Sequence, residues 1–160
     1  MHLMESVIDF VKVNSRCRKC EVITVEDPGD GDLVEIYASY IKSPTILVSG
    51  RIFIDAKYMS RDESLVVMSG IGNELIKEQY LKSHDVEGLE VGESIISGFK
   101  FDPIYDSQSE QIIGTSVVFV SEQDFGGTFP KWFTKKFSPK AIHDFYDEVV
   151  LAARKIVINI

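Results

Sequence analysis

Three polar turn clusters divide the middle of this chain into short β-branched runs, and their spacing restricts the fold more than any other feature. Asp27-Pro28-Gly29-Asp30-Gly31-Asp32 and the polar stretches Met59 to Ser64 and Asp106 to Gln111 are too short to carry a crossover, so the runs they join must pair antiparallel. The runs themselves are Cys20 to Glu26, Leu33 to Tyr40, Leu47 to Tyr58, Leu65 to Ile71, Glu93 to Phe101 and Ile112 to Gln123, with Ser43-Pro44 breaking the second from the third. Helical spacing appears at the ends. Leu3, Val7, Ile8, Phe10 and Val11 mark a short helix over Leu3 to Val13. Ile142, Phe145, Tyr146, Val149, Ala153, Ile156 and Val157 form one stripe of a helix that starts in earnest after Pro139, with Pro130 at an earlier helix-start position. Asn73 to Gly92 is charged and lacks β-branched runs, with one or two helical turns at Glu74 to Ser83. The expected fold is α+β: a curved antiparallel sheet of about six strands, helices on one face, and a long C-terminal helix packed across it.

A chain of 160 residues with 44% hydrophobic and 26% charged side chains suits one globular domain over 1–160 and is too apolar for disorder. Its net charge of −8 argues against nucleic acid as a partner, because wrapping a phosphate backbone takes a basic footprint. No apolar run approaches the roughly 18 to 20 residues that span a bilayer, and residues after Met1 do not resemble a secretory leader. Its two cysteines, Cys17 and Cys20, are too few and too close for a secreted disulfide framework. A cytoplasmic location is the expectation.

The motifs that carry chemistry are missing. Cys17-Arg18-Lys19-Cys20 is a CxxC among cations that favour thiolate, yet a zinc site needs two more ligands, and His2, His84 and His143 are scattered singly. Incidental spacing is the better reading, with no metal and no cofactor implied. Gly70-Ile71-Gly72 and Gly126-Gly127 lack the residues that complete a phosphate loop, and no nucleophile elbow or spaced carboxylate dyad is present. The chain does not read as an enzyme.

Two polar patterns remain. On the third strand, period two places Arg51, Phe53, Asp55 and Lys57 on one face and Ile52, Ile54, Ala56 and Tyr58 on the other. If the first face meets a cavity, Asp55 and Lys57 are buried charges that need partners or a polar ligand group; if it meets solvent, they form an ordinary surface stripe. The second pattern is in the tail, where residues 131–160 carry six basic and three acidic side chains, a net +3 that leaves −11 on the rest. Lys131, Lys135, Lys136 and Lys140, interleaved with Trp132, Phe133 and Phe137, suit an anionic bilayer surface. The plainer reading makes the aromatics core and the lysines solvated.

Three segments, in order, resemble the START (StAR-related lipid transfer) domain family. Ser49 to Lys57 is similar to its Arg-Asp-Phe-Val strand with a basic residue six positions on. Val117 to Gln123 followed by Asp124-Phe125-Gly126-Gly127 is similar to its strand ending in Asp-x-Gly-Gly, and Thr128 to Phe133 to the Gly-x-Ile-Pro-x-Trp that opens its last helix. Residues from about Cys20 to Lys155 can be laid on the pattern. Ile52 stands where the family has Asp, Asn73 to Gly92 is longer and more polar than the family's loop, and the family's first helix and strands have no counterpart. The chain is then either an N-terminally shortened piece or a smaller variant of the same architecture, and a shortened sheet would leave Ile112 to Gln123 as an exposed edge strand, a template for pairing with a second copy.

The resemblance implies a helix-grip fold that holds a lipid or sterol between sheet and terminal helix, for transfer or sensing, without covalent chemistry and peripheral to membranes. It places the cation at Lys57 in the cavity near an acid, with Glu35 and Asp55 as candidates, while Arg51, Phe53, Met68, Phe99, Phe119, Ile142, Phe145, Tyr146 and Val149 complete the expected lining. Affinity then comes from burial at ~0.8 kcal/mol per methylene. The rival reading is a ligand-free interaction module whose cavity is filled by Phe53, Met68, Phe99, Phe101 and Phe119.

Overall fold

In a computed structural model of the chain the described residues are 14–29, 31–43, 45, 48–127 and 131–158, with side chains in the last segment described for 139–151 and 154. The helix expected at Leu3 to Val13 lies outside them. Among the described residues the strands are β1 (Cys17–Glu26), β2 (Leu33–Ile41), β3 (Gly50–Ser60), β4 (Leu65–Gly70), β5 (Leu89–Val91), β6 (Glu93–Tyr105) and β7 (Ile112–Asp124). The helices are α1 (Glu74–Ser83), between β4 and β5, and α2 (Lys131–Ile158).

The strands form one open sheet in the order β1-β2-β3-β4-β6-β7, with β5 against β3. Every neighbouring pair along that order is antiparallel, as the short turns dictate for β1–β2, β3–β4 and β6–β7. β5 departs from the expectation: it pairs parallel to β3 over Gly50–Leu89 to Ile52–Val91, and three residues are too few to show a period. β6 also runs past Phe101 through Pro103. Its contact with β4 ends at Lys100, so the proline sits where β6 has only β7 beside it, a position at which a missing N–H is tolerated.

Strand parity sorts the apolar residues into two cores. Tyr37, Met59, Val66, Met68, Phe99 and Phe101 point to an inner face, where Val149 and Phe145 of α2 meet them. Phe99 is the hub, with its ring 4.6 Å from that of Phe119 and 6.0 Å from those of Phe101 and Phe145. Ala38, Ile52 and Ile54 point to the opposite, outer face, together with Ile71, and there they meet Tyr80, Ile76 and Leu81 of α1. Helices therefore cover both faces of the sheet, not one. The reason lies in β3, whose outward residues Ile52 and Ile54 are apolar and need cover of their own.

α1 replaces the one or two turns expected at Glu74 to Ser83 with a ten-residue helix. Asn73 caps it, its side chain accepting from the backbone N–H groups of Leu75 and Ile76. Tyr80 fastens it to the sheet: its ring stacks on His84 at 3.9 Å, its hydroxyl donates to Glu21 of β1, and the Tyr40 hydroxyl lies 2.8 Å away. α2 begins at Lys131 and takes Pro139 inside it, whereas the apolar stripe suggests a start beyond that proline. A proline there withholds one helical N–H and disturbs the preceding turn. No helix among the described residues is long and apolar enough to cross a membrane. β7 forms one edge of the sheet, with Ile112, Ile113, Val118 and Val120 all more than half exposed.

Tyr80 is buried and its hydroxyl serves two partners, so Tyr80→Phe should lower unfolding free energy by ~1–3 kcal/mol, measured by urea denaturation. Unchanged stability would mean that ring packing alone docks α1.

Candidate functional site

β3 supplies the centre of the site. Across its antiparallel register, Arg51, Phe53, Asp55 and Lys57 face Ile41, Ser39, Tyr37 and Glu35 of β2, while Asp55 and Lys57 face Gly70 and Met68 of β4. The inner face continues through Met68–Ser97 between β4 and β6, then Ser97–Ser121 and Phe99–Phe119 between β6 and β7. Along the strands this face changes character: Val66, Phe99, Phe101, Phe119 and Met59 gather at one end, and Ser39, Asp55, Ser94, Ser97 and Ser121 at the other. At the apolar end the rings of Phe99, Phe101 and Phe119 stack on one another. At the polar end a cavity of about 370 Å³ remains between sheet and α2, walled by Phe53, Met68, Phe119, Phe125, Ile142 and Phe145 besides the polar residues.

Seven of the residues expected to line the cavity do so: Arg51, Phe53, Asp55, Met68, Phe119, Ile142 and Phe145. Four do not. Phe99 is packed out of reach among Phe101, Phe119 and Phe145, and Val149 belongs to the same apolar core. Tyr146, 55% exposed, lines instead a shallower groove of about 560 Å³ between α2 and the β7 edge, and Ile142, 53% exposed, borders both hollows. The helix stripe is thus split, with Phe145 and Val149 inward and Ile142 and Tyr146 near the surface. Ala153 lies outside the described side chains.

Lys57 is the fourth. Its face points inward, which rules out a solvated stripe, but the ammonium is ion-paired with Glu35 and lies 5.8 Å from the centre of the Tyr37 ring. Both side chains of the pair are largely buried, at 8% and 16% exposure. The pair sits beyond the cavity wall. Arg51 does reach the cavity, yet its guanidinium donates to the carbonyls of Phe125, Ser49 and Gly50, clamping the loop that leaves β7 to the start of β3. That loop needs its glycines: Gly126 has φ of +62°, and a Cβ there would collide with the Val91 carbonyl oxygen.

Asp55 is different. It is 4% exposed, and its Oδ2 accepts a 2.8 Å bond from the Ser94 hydroxyl, while Oδ1 has no hydrogen-bond partner. Burial raises its pKa above the ordinary Asp range, against the lowering effect of Ser94 and, more weakly, of the nearby Tyr37 hydroxyl. Burial likewise pushes the Tyr37 hydroxyl well up, with the Asp55 charge adding to it.

The serines of the wall are absent from the residues expected on sequence grounds. Ser97 and Ser121, 2.8 Å apart through their hydroxyls, share the parity of Phe99 and Phe119, a signal that could have found them. Ser94 gives no such signal, because a bulge between Ser94 and Ile96 shifts the register and brings Ser94 and Ser97 to the same face. The rim of the site joins β1 to α2: Arg16 is 3.1 Å from Asp144, and the Ser15 N–H donates to Glu148. Of the expected membrane-docking residues, Lys140 is exposed, and the side chains of Lys131, Trp132, Phe133, Lys135 and Lys136 lie outside those described. Cys17 is buried, with its thiol donating to the Lys19 carbonyl and its pKa raised by burial, the reverse of an activated thiolate. No group of three or more metal-ligating side chains occurs among the described residues.

Because Asp55 is harder to ionise folded than unfolded, its charge weakens the fold at neutral pH, and the penalty vanishes as pH falls through the raised value toward ~4. Asp55→Asn should therefore raise stability by roughly 1–3 kcal/mol at pH 7, with the gain shrinking in acid. Denaturation at several pH values checks this; a loss of stability at pH 7 would mean that the carboxylate is held by a favourable contact.

No family model and no curated protein matches the sequence. Solved structures do match in fold. The human StarD13 (DLC2) lipid transfer and protein localization domain superposes with a TM-score of 0.63 at 14% identity, over 92% of this chain and 70% of that one. Human STARD10 superposes with a TM-score of 0.60, also at 14% identity, over 93% of this chain and 58% of that one. The chain spans less than two thirds of the second, and it has the START-like α+β fold.

Proposed function

We propose that this chain binds a lipid between the inner face of its sheet and α2, as a carrier or sensor and not as a catalyst. The observation that carries the reading is the cavity of about 370 Å³, which lies in the size range of small-molecule sites and where Phe53, Met68, Phe119 and Phe145 share the wall with serines and with charged groups including Arg16, Lys42 and Asp144. Burying apolar chain against Phe53, Met68, Phe119 and Phe145 would supply affinity, at ~0.8 kcal/mol per methylene. The StarD13 domain is named for lipid transfer, which supports the same reading at the level of fold.

Opening would use the rim. The Arg16–Asp144 pair is 35% and 41% exposed on its two sides, and ion pairs of that kind hold by ~0–1 kcal/mol, so α2 can part from the start of β1 at small cost. Lys131, Lys135, Lys136 and Lys140, with Trp132 or Phe133, would bring this edge to an anionic membrane surface, each Lys adding roughly 1 kcal/mol. The apolar end gives the ligand-free interaction module a specific footing, since Phe99, Phe101, Phe119 and Phe145 pack on one another there. The remaining cavity favours the carrier.

Ser97→Phe places a ring in the cavity, whereas Val118→Phe adds one to the exposed outer side of β7. Displacement of a fluorescent fatty-acid probe should weaken at least ~10-fold in the first variant and stay unchanged in the second, with both melting as folded proteins. Equal probe binding by the two variants would remove the cavity as the site. In parallel, sedimentation with phosphatidylserine vesicles should fall as salt rises and fall further when the four lysines become alanine; salt-independent binding contradicts docking by this patch.

A further inference from the structure

The two edges of the sheet are built differently. β1 carries Arg18, Lys19, Glu21 and Glu26 and is interrupted by two register shifts against β2, and charges and bulges are what keep an edge strand from recruiting another chain. β7 lacks both over its middle: from Ile112 to Ser121 it has no charged residue and no proline, and from Gly114 to Glu122 it pairs with β6 without a bulge. Among the described residues β6 is its only strand neighbour, so a row of N–H and C=O groups faces outward along it. The side chains around that row are apolar as well. Ile112, Ile113 and Val120 of β7, Ile104 of β6, and Ile142 and Tyr146 of α2 are each 45% exposed or more, and the last two line the groove of about 560 Å³ between α2 and β7. Apolar surface gathered on one side in this way marks a contact site.

We propose that β7 pairs antiparallel with β7 of a second copy across a two-fold axis, so that the two sheets join into one. The partner follows from the strand's own pattern. An uncharged edge rich in Ile, Val and Thr fits a strand of the same kind, and β7 is one. Its acids, Glu122 and Asp124, lie at one end. Antiparallel pairing can set them opposite the neutral Gly114 and Ile112 of the second copy, whereas in-register parallel pairing would place each acid beside its own counterpart. The net charge of −8 opposes association of two copies, which makes the uncharged strand the place where they approach with least repulsion. A two-fold contact uses each β7 edge once and closes the assembly at two, while the charges on β1 guard the other edge. It also puts α2 of both copies on the same side of the joined sheet, where Ile142 and Tyr146 gain cover. The thirteen residues of β7, at ~3.4 Å each, give an edge about 44 Å long. With sheet and helix layers together ~20 Å high, that side measures about 900 Å², against the ~800 Å² that each partner of a stable interface buries.

The test is sedimentation equilibrium of the full chain from micromolar to submillimolar concentration. Wild type should reach a species of twice the chain mass and go no further, and association should hold or strengthen as salt rises, because screening relieves the repulsion between two acidic copies. Ser116→Lys combined with Val120→Lys sets lysines opposite each other in both halves of the pair and should weaken association at least ~10-fold. Both positions are exposed and Ser116 lies opposite Asp102 of β6, so the variant should melt as a folded chain. Ser116→Lys combined with Val120→Glu sets opposite charges there and should restore association. Val22→Lys, at an exposed position of β1, should change nothing. A wild type that stays monomeric throughout overturns the inference, as does growth beyond two, a dimer that the two-lysine variant leaves intact, or one that Val22→Lys dissolves. Equal loss in both charge variants overturns the antiparallel register and the two-fold with it. Hydrogen exchange gives a reading without variants: β7 amides should slow as concentration rises and β1 amides should not, and a dimer whose β7 amides exchange as in the monomer overturns strand pairing.

Discussion

β3 is buried on both faces, and the rest of the structure follows from what that demands. Its outward Ile52 and Ile54 are almost wholly enclosed, which requires a helix on the outer face and accounts for α1. Its inward residues are another matter, since Arg51, Asp55 and Lys57 are also buried, and burying a charge is costly unless it finds partners. The sheet meets that demand three times in different ways. Glu35 on the neighbouring strand takes Lys57, backbone carbonyls take Arg51, and Ser94 takes half of Asp55. Of these three, the last leaves an acceptor over, and it does so where the cavity lies.

The inner face thus divides its labour along the strands. At one end aromatic rings close on each other and on Val149 and Phe145, which fixes α2 against the sheet. At the other, serines replace rings and the space they vacate is the cavity. Phe119, Phe145 and Ile142 border both this cavity and the outer groove beside β7, so a shift of α2 would alter the two together. The contacts that hold the rim, Arg16 with Asp144 and Ser15 with Glu148, are exposed or partly exposed, whereas the ring cluster is buried. Motion is therefore easier at the polar end.

Much of this was legible in the residues. Turn clusters and β-branched runs locate six strands, and the parity of β3 puts Arg51, Phe53, Asp55 and Lys57 on one face, where they are. What pattern could not supply was the competition among partners. Glu35 is one of two candidate acids for Lys57, but only the register sets it opposite and takes the lysine out of ligand contact, and an arginine reads as a ligand contact until Phe125 brings its carbonyl across from the end of β7. The helix stripe misleads for a related reason: Ile142 and Tyr146 share a period with Phe145 and Val149, but the sheet ends at β7 before it can cover them. Bulges and short elements escape periodicity altogether, which hid Ser94 and β5. Asn73 to Gly92, polar on its surface, conceals Ile76, Tyr80 and Leu81 at positions that only the outer face of β3 makes sense of.

The central claim is that the space beside Asp55 is made to hold a lipid chain. Native mass spectrometry of the gently purified protein tests it most directly. The account predicts a population heavier than the bare chain by the mass of one bound lipid, abolished when Ser97→Phe fills the cavity. A chain that flies at its bare mass after expression and after incubation with mixed-lipid vesicles, in the wild type and the filled variant alike, would contradict it.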